Sequence, residues 1–338
     1  MQRTLIIAPQ WIGDAVMSQP LLAGLKQTNA SQTIDVLCTP WVAPIYRACK
    51  EITKVIEVDF QHGILQWDLR RSIAKQIKAN AYNRAFVLPN SFKSALIPWL
   101  AGIPIRIGYR GELRFGFINH VLANPSRQAR TPMVEHYGQL LKISENSSPS
   151  FDHTSQPKLS ISDEGVQEVK ARIDALGTRT LYVFAPGAEY GPAKRWPSSH
   201  FAELATKILG KDTDAQIVIL GSKADHSLAQ EIQDHTKPTE RIHNWCGVIS
   251  LEEAMAVIAQ CKQIISNDSG LMHIAAALAI PQIAIFGSSN PKHTPPLSKQ
   301  AKVVWLGLAC SPCYQRNCPL GHLDCLTKIE AEQVYTML

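Results

Sequence analysis

The chain has 338 residues, 45% of them hydrophobic and 18% charged, with a formal net charge of +6. That length accommodates two domains of ordinary size, and the composition is that of a folded protein rather than a disordered or fibrous one. The mild positive balance suits an anionic small molecule, a phospholipid surface or nucleic acid, and does not choose among them.

Met1 to Pro9 carries too short an apolar run for a signal peptide. No run reaches the roughly 20 apolar residues that cross a bilayer, so the expectation is a cytoplasmic protein. In the first half, Thr4–Ala8, Ile34–Cys38, Val55–Asp59, Ala85–Pro89 and Ile105–Tyr109 read as short buried strands. Helical patterns lie between them at Asp14–Gln27, Trp41–Lys50, Leu69–Ala79 and Ser91–Ala101, and Val134–Ile143 closes this half. The stretch from Ser144 to Pro157 has the Ser, Asn and Pro content of a linker, which predicts domains at 1–150 and 151–338. The second half restarts with a helix at Ser162–Leu176. Strands follow at Leu181–Ala185, Ile217–Gly221, Arg241–Asn244, Gln263–Asn267, Gln282–Gly287 and Lys302–Leu306, and Ser250 to Glu253 is a capping-box pattern. Strands alternating with helices in this way predict an α/β fold with parallel sheets covered on both faces. Two such halves place a ligand in the cleft between them, at the carboxyl ends of the strands.

Four clusters fall at those strand ends. Gly13 allows close backbone approach, and Asp14 at a helix start is either a general base toward a hydroxyl or a charge that suits the helix N-terminus. Ala185 to Pro197 is a Gly/Pro-rich loop with Lys194 and Arg195 just before a helix start. It is either a diphosphate clamp, Lys as a point charge and Arg as a fork, or a solvated basic loop. Gly221 to Asp225 is a third strand-then-turn and could contact a nucleoside. The fourth runs from Ile264 to His273: an apolar run stops at Asn267-Asp268, Ser269-Gly270 turns the chain, and Leu271–Ala279 reads as a helix. The first N–H groups of that helix suit an anion. Asp268 can hold a ribose or sugar hydroxyl and His273 can reach the same ligand; alternatively Asp268 only caps the helix. Phe286-Gly287-Ser288-Ser289 follows one strand later. No G-x-G-x-x-G or Walker A loop occurs, so a dehydrogenase or P-loop ATPase finds no support. The D-x-D at Asp212 to Asp214 lies between a helix and a strand and reads as a solvated turn.

Lys93, Arg106, Arg110, Arg114, Arg127 and Arg130, interleaved with Tyr109, Phe115 and Phe117, suit phosphates or carboxylates on a large acceptor, or form ordinary solvated surface. The eight cysteines point to reduced thiols or a metal rather than a secreted disulfide scaffold. Cys310-x2-Cys313 with Cys318, Cys325 and nearby His322 leaves a structural metal, a redox role and a reduced loop all open.

Trp11 to Pro20, Pro186 to Pro197 and Asn267 to Ala276, with Ser91 to Ala95, Arg106 to Gly111 and the Cys310 to Cys325 loop, resemble the lipopolysaccharide heptosyltransferases of glycosyltransferase family nine. The resemblance covers nearly the whole chain. It implies the GT-B fold, two Rossmann-like domains whose parallel sheets face a central cleft, with acceptor bound by 1–150 and nucleotide-sugar donor by 151–338. It implies inverting, metal-independent and cofactor-free transfer of heptose from ADP-heptose to the first inner-core heptose on Kdo-lipid A, with peripheral contact at the inner membrane and no nucleic acid. Carried over by motif, Asp14 is the base and Lys194 binds the donor phosphates. Asp268, Ser269, Gly270 and His273 hold ribose, heptose and diphosphate, and Glu189 and Tyr190 stand where smaller hydroxyl residues occur in a related type. Asp225 and Ile249 would face the adenine, and Lys93, Arg106 and Arg110 the acceptor. The alternatives are transfer at another core position, a nucleotide-sugar epimerase, and a nucleic-acid-binding module built on the Cys-rich loop.

Overall fold

Short aliphatic and β-branched runs form two six-stranded parallel sheets in the computed structural model, which describes residues 2–61, 63–126, 131–144, 155–177 and 180–338. The chain divides into two compact units, Met1–Ser160 and Ile161–Leu338. The first contains β1 (Arg3–Ile7), β2 (Thr33–Cys38), β3 (Lys54–Glu57), β4 (Arg84–Val87), β5 (Ile105–Tyr109) and β6 (His120–Leu122), in the order β3-β2-β1-β4-β5-β6. The second contains β7 (Thr180–Ala185), β8 (Ala215–Ile219), β9 (Ile242–Asn244), β10 (Gln263–Asn267), β11 (Gln282–Ile285) and β12 (Ala301–Val304), in the order β12-β11-β10-β7-β8-β9.

Counted from each unit's own first strand, the two orders are the same. In each, the connections leave in opposite directions on either side of the first and fourth strands. The crevice at that switch point, outside the strands' carboxyl ends, is where open α/β sheets bind ligands. It lies between β1 and β4 in one unit and between β7 and β10 in the other.

Both faces of the central strands are covered, so they read as continuous apolar runs rather than alternating ones. Every residue of β10 is buried. The Ser198–Lys211 helix covers one face of the second sheet by burying Phe201, Leu204, Ala205, Ile208 and Leu209, the spacing of a single helical stripe. Trp196, Phe184 and Ile217 belong to the same core, while Leu5, Val87 and Ile97 belong to the core of the first unit.

The first predicted helix is two helices, Ile12–Met17 and Gln19–Thr28. Pro20 has no N–H to continue the ladder and is tolerated only in the first turn of a new helix. The predicted Val134–Ile143 helix is likewise divided, into Met133–Gly138 and Leu141–Ser144. Strand β6 escaped prediction because it is three residues long and none of the three is fully buried. The capping box is present: Ser250 Oγ accepts from Glu253 N–H at 3.1 Å, and Glu253 Oε2 accepts from Ser250 N–H at 2.7 Å.

Most of the expected linker lies outside the described residues. Its far end is fastened to the first unit, where Lys158 N–H donates to Gln19 Oε1 at 3.0 Å and Ser160 N–H to Ala48 O at 2.9 Å. The D-x-D is a local turn, with Asp214 N–H donating to Asp212 Oδ1 at 3.1 Å. No helix among the described residues is long and apolar enough to cross a membrane.

Candidate active site

In the second unit, Ala185 pairs with Ser266, so the chains leaving β7 and β10 emerge side by side. Asn267, fully buried, fastens the loop after β7 at both ends. Its Oδ1 accepts from Trp196 N–H at 3.1 Å, and its Nδ2 donates to Pro186 O at 2.6 Å. The indole of Trp196 is buried, donating to Ile329 O at 2.8 Å, and anchors the loop in the core.

This anchoring sets Lys194 Nζ 2.5 Å from Asp268 Oδ2, and Ser289 Oγ donates to the same oxygen at 2.5 Å. Asp268 is only 5% exposed, and a carboxylate so desolvated needs a cation and donors around it. His273 is buried one turn into the adjoining Gly270–Ala277 helix. Burial above all drives its pKa down to about 4; the Asp268 charge opposes that shift and the Lys194 charge adds to it. The imidazole is therefore neutral at physiological pH.

The capping alternative for Asp268 does not hold, because its carboxylate is engaged by Lys194 and Ser289. Ser269 is the N-cap, and its side chain makes no capping hydrogen bond. Its buried Oγ has no hydrogen-bond partner. The start of this helix thus offers a hydroxyl and N–H donors beside a lysine, a set suited to a phosphate or diphosphate.

The remaining donor-side candidates are placed less uniformly. Glu189 is exposed. The Tyr190 hydroxyl donates to Tyr314 O at 2.7 Å, and its ring lies 5.3 Å from Lys194 Nζ and 5.5 Å from the Arg316 guanidinium. Arg195 does not fork beside Lys194 as the clamp reading expected. Its Nη2 faces Asp225 at 3.6 Å, and its Nε donates to Ala188 O at 3.3 Å. Asp225 closes its own turn by accepting from Ser222 N–H and Oγ at 3.0 and 2.7 Å. A Cβ at Gly187 would sit 2.6 Å from the Asp225 carboxyl carbon, so glycine is what lets the two loops approach. Ile249 is half-buried in the turn after β9, where Gly247 N–H donates to Gly221 O at 3.0 Å. Asp225 and Ile249 therefore share a neighbouring pair of turns.

In the first unit, Asp14 occupies the first turn after β1 and is half-buried. The buried Tyr137 hydroxyl is hydrogen-bonded to its carboxylate; burial first, then the Asp14 charge, holds that phenol well above its ordinary pKa. Tyr46, buried beside them, shares a 3.1 Å hydrogen bond with Ser18 Oγ.

Two of the expected acceptor cations are turned inward. The Arg106 guanidinium donates to the carbonyls of Phe117 and Ile103, both at 2.6 Å, and Gly116 at 3.2 Å. Arg114, buried, donates to Pro89 O at 2.7 Å, to Asn90 Oδ1 at 3.1 Å and to Tyr109 O. They brace a loop instead of facing an acceptor. Lys93 is half-buried and donates to Gly63 O at 2.6 Å, and Arg110 is exposed. Arg127 and Arg130 lie outside the described residues.

The Cys-rich segment braces the lysine loop. Ala193 N–H donates to Arg316 O at 3.1 Å, beside the Tyr190–Tyr314 hydrogen bond. Burial raises the Cys325 thiol to about 11, and Cys310, Cys313 and Cys318 are near enough to add to that shift. The thiols are free, and among the described residues no group of three or more His, Cys, Asp or Glu is arranged to hold a metal ion.

The model of glycosyltransferase family 9 (heptosyltransferase) matches residues 70–324. Lipopolysaccharide heptosyltransferase 2 of Escherichia coli is 39% identical over 90% of this chain and 88% of its own length. Lipooligosaccharide heptosyltransferase 2 of Haemophilus ducreyi is 38% identical over the same shares. The solved structure of E. coli ADP-heptose LPS heptosyltransferase II superposes with a TM-score of 0.84 at 34% identity, covering 99% of this chain and 97% of that one. The chain belongs to glycosyltransferase family 9, the heptosyltransferases, and is a glycosyltransferase of lipopolysaccharide assembly.

Proposed function

We propose that the chain moves L-glycero-D-manno-heptose from ADP-heptose to the first heptose of the lipopolysaccharide inner core, in one inverting displacement that needs no metal ion. The observation that carries this reading is the Lys194–Asp268 pair, held by Ser289, beside the uncapped start of the Gly270–Ala277 helix. ADP-heptose brings a diphosphate and two sugars, which match a cation, helix-start donors and a carboxylate. The type 2 relatives and the ADP-heptose enzyme of the superposed structure support the same donor and acceptor.

In the proposed reaction, Asp14 accepts the proton of an acceptor hydroxyl as that oxygen bonds to the anomeric carbon. The bond from that carbon to the ADP oxygen breaks, and ADP leaves with the electron pair. The transition state is oxocarbenium-like, by analogy with glycoside hydrolysis. Lys194, the Ser269 hydroxyl and the N–H groups of Ser269 and Gly270 stabilise the growing charge on ADP. Asp268 holds Lys194 and receives donor hydroxyls, neutral His273 donates or accepts one hydrogen bond, and Lys93 and Arg110 bind acceptor phosphates. The acceptor is lipid-anchored, so the protein works at the face of the inner membrane.

The test is incubation with ADP-heptose and defined core acceptors carrying zero, one or two heptoses. Transfer to the one-heptose acceptor alone is expected. Transfer only to the heptose-free or two-heptose acceptor moves the reaction to another core position, and release of free heptose or an epimer without an acceptor overturns it.

A further inference from the structure

The loop after β5 is built to hold two large apolar side chains in solvent. Arg114 turns inward, and Glu112, itself exposed, reaches back to the start of the next helix. Glu112 Oε2 accepts from Phe92 N–H at 2.9 Å, and buried Arg114 spans Pro89 O, Asn90 Oδ1 and Tyr109 O. Glu112 N–H donates to Asn90 O at 3.1 Å, and a Cβ at Gly111 would collide with that same oxygen. Phe117 locks the far end by packing edge-on against Phe92 and Trp99, with centroids 5.0 and 4.9 Å away. Between these anchors, Leu113 is 82% exposed and Phe115 76%. A floppy loop would fold such side chains down; here the anchors prevent it.

Two cations flank the tips, and the one acid among them, exposed Glu112, is held by the Phe92 N–H. Arg110 is exposed at the start of the loop, and Lys93, on the adjoining Phe92–Leu100 helix, ties down the segment that exposes Ile64 and Leu65. Apolar tips on separate loops with cations beside them suit the boundary between anionic headgroups and acyl chains.

We propose that Leu113 and Phe115 insert into the interface of an anionic phospholipid bilayer, with Arg110 and Lys93 among the headgroups. This surface deepens the lipid-anchored-acceptor reading above and rests on it for its purpose, though its binding can be measured without any transfer.

The experiment floats the purified full chain with vesicles of phosphatidylethanolamine and phosphatidylglycerol, and with vesicles of phosphatidylcholine alone. Wild type is expected to float with the anionic vesicles and far less with the neutral ones. The Leu113→Ser/Phe115→Ser double variant is expected to lose about tenfold or more of the bound fraction. It should keep its melting temperature and its rate on a deacylated, soluble acceptor. Phe115→Trp should bind as wild type does, which separates loss of insertion from damage to the loop. Absence of wild-type binding, or undiminished binding of the double variant, overturns the proposal. So does a wild-type dimer that the double variant disperses, since the tips would then contact a second copy. Vesicle binding without heptose transfer would sink the proposed reaction and leave this surface standing; transfer to the soluble acceptor without vesicle binding would do the reverse.

Discussion

The two units share a strand order and use its switch point differently. Between β7 and β10 the second unit gathers a half-buried cation, a buried carboxylate, a serine and a neutral histidine around one helix start. At the carboxyl end of β1 the first unit sets a carboxylate among tyrosines, and its loop after β5 points apolar side chains outward. The contrast teaches that one topology serves two tasks according to what the strand-end loops carry. A pre-wired polar site suits a small charged donor, which is the role proposed for the second unit, and the first unit's sparser site is the one proposed to take the acceptor.

The largest expected effect separates these tasks. Asp14→Asn should lower turnover by about 10²–10⁴ with little change in donor affinity, if proton abstraction is the main term. Steady-state kinetics checks this, and near wild-type turnover would remove Asp14 from the chemistry.

Lys194→Ala should weaken ADP binding and turnover together by about 10² each, because the leaving diphosphate loses its cation. It should also destabilise the fold, by about 3 kcal/mol, since the buried Asp268 is left without its charge partner. Adding Asp268→Asn should restore much of the stability and none of the activity, which denaturation and rate measurements on the double variant would read.

His273 gives a pH test confined to the second unit. Its pKa is about 4 folded, against roughly 6.5 unfolded, so the unfolded chain binds the extra proton first as pH falls. The stability tied to its neutral form is complete above the unfolded value and is lost between roughly pH 6.5 and 4. His273→Gln should flatten that part of the stability curve, by up to about 3 kcal/mol. An unchanged acid slope in denaturant titrations at several pH values would contradict the buried neutral ring. The smallest effect is expected from Ser162→Ala, which removes the capping hydrogen bond from Gly165 N–H at the start of the Asp163–Asp174 helix. It should cost about 1 kcal/mol and leave ADP affinity alone.

Much of the second unit's site was legible because a strand, a turn and a helix lie consecutively in the chain. Lys194, Asp268 and His273 sit where those short-range patterns place them. Ser289 and Asn267 were visible as strand-end residues, but their work was not. It depends on bonds to Asp268, Pro186 and Trp196 that only the sheet order creates. Tyr137 was hidden for the same reason, as a helix residue remote in sequence from Asp14.

The inward turn of Arg106 and Arg114 was not legible, because a sequence shows charge without showing direction. Arg106 and Arg114 have guanidinium donors enough to satisfy the carbonyls of an irregular loop, and that is how they are used. Turning them inward is also what leaves Leu113 and Phe115 outside. The break at Ser18 followed from Pro20, a signal present in the sequence and outweighed by an unbroken apolar periodicity.

In the proposed reaction donor binding belongs to the second unit and proton acceptance to Asp14 of the first. Calorimetric titration of ADP into wild type, Asp14→Asn and Lys194→Ala tests this division most directly. Asp14→Asn is expected to bind ADP within about twofold of wild type while Lys194→Ala loses tenfold or more. Equal affinity for wild type and Lys194→Ala, or loss of ADP binding in Asp14→Asn, would contradict it.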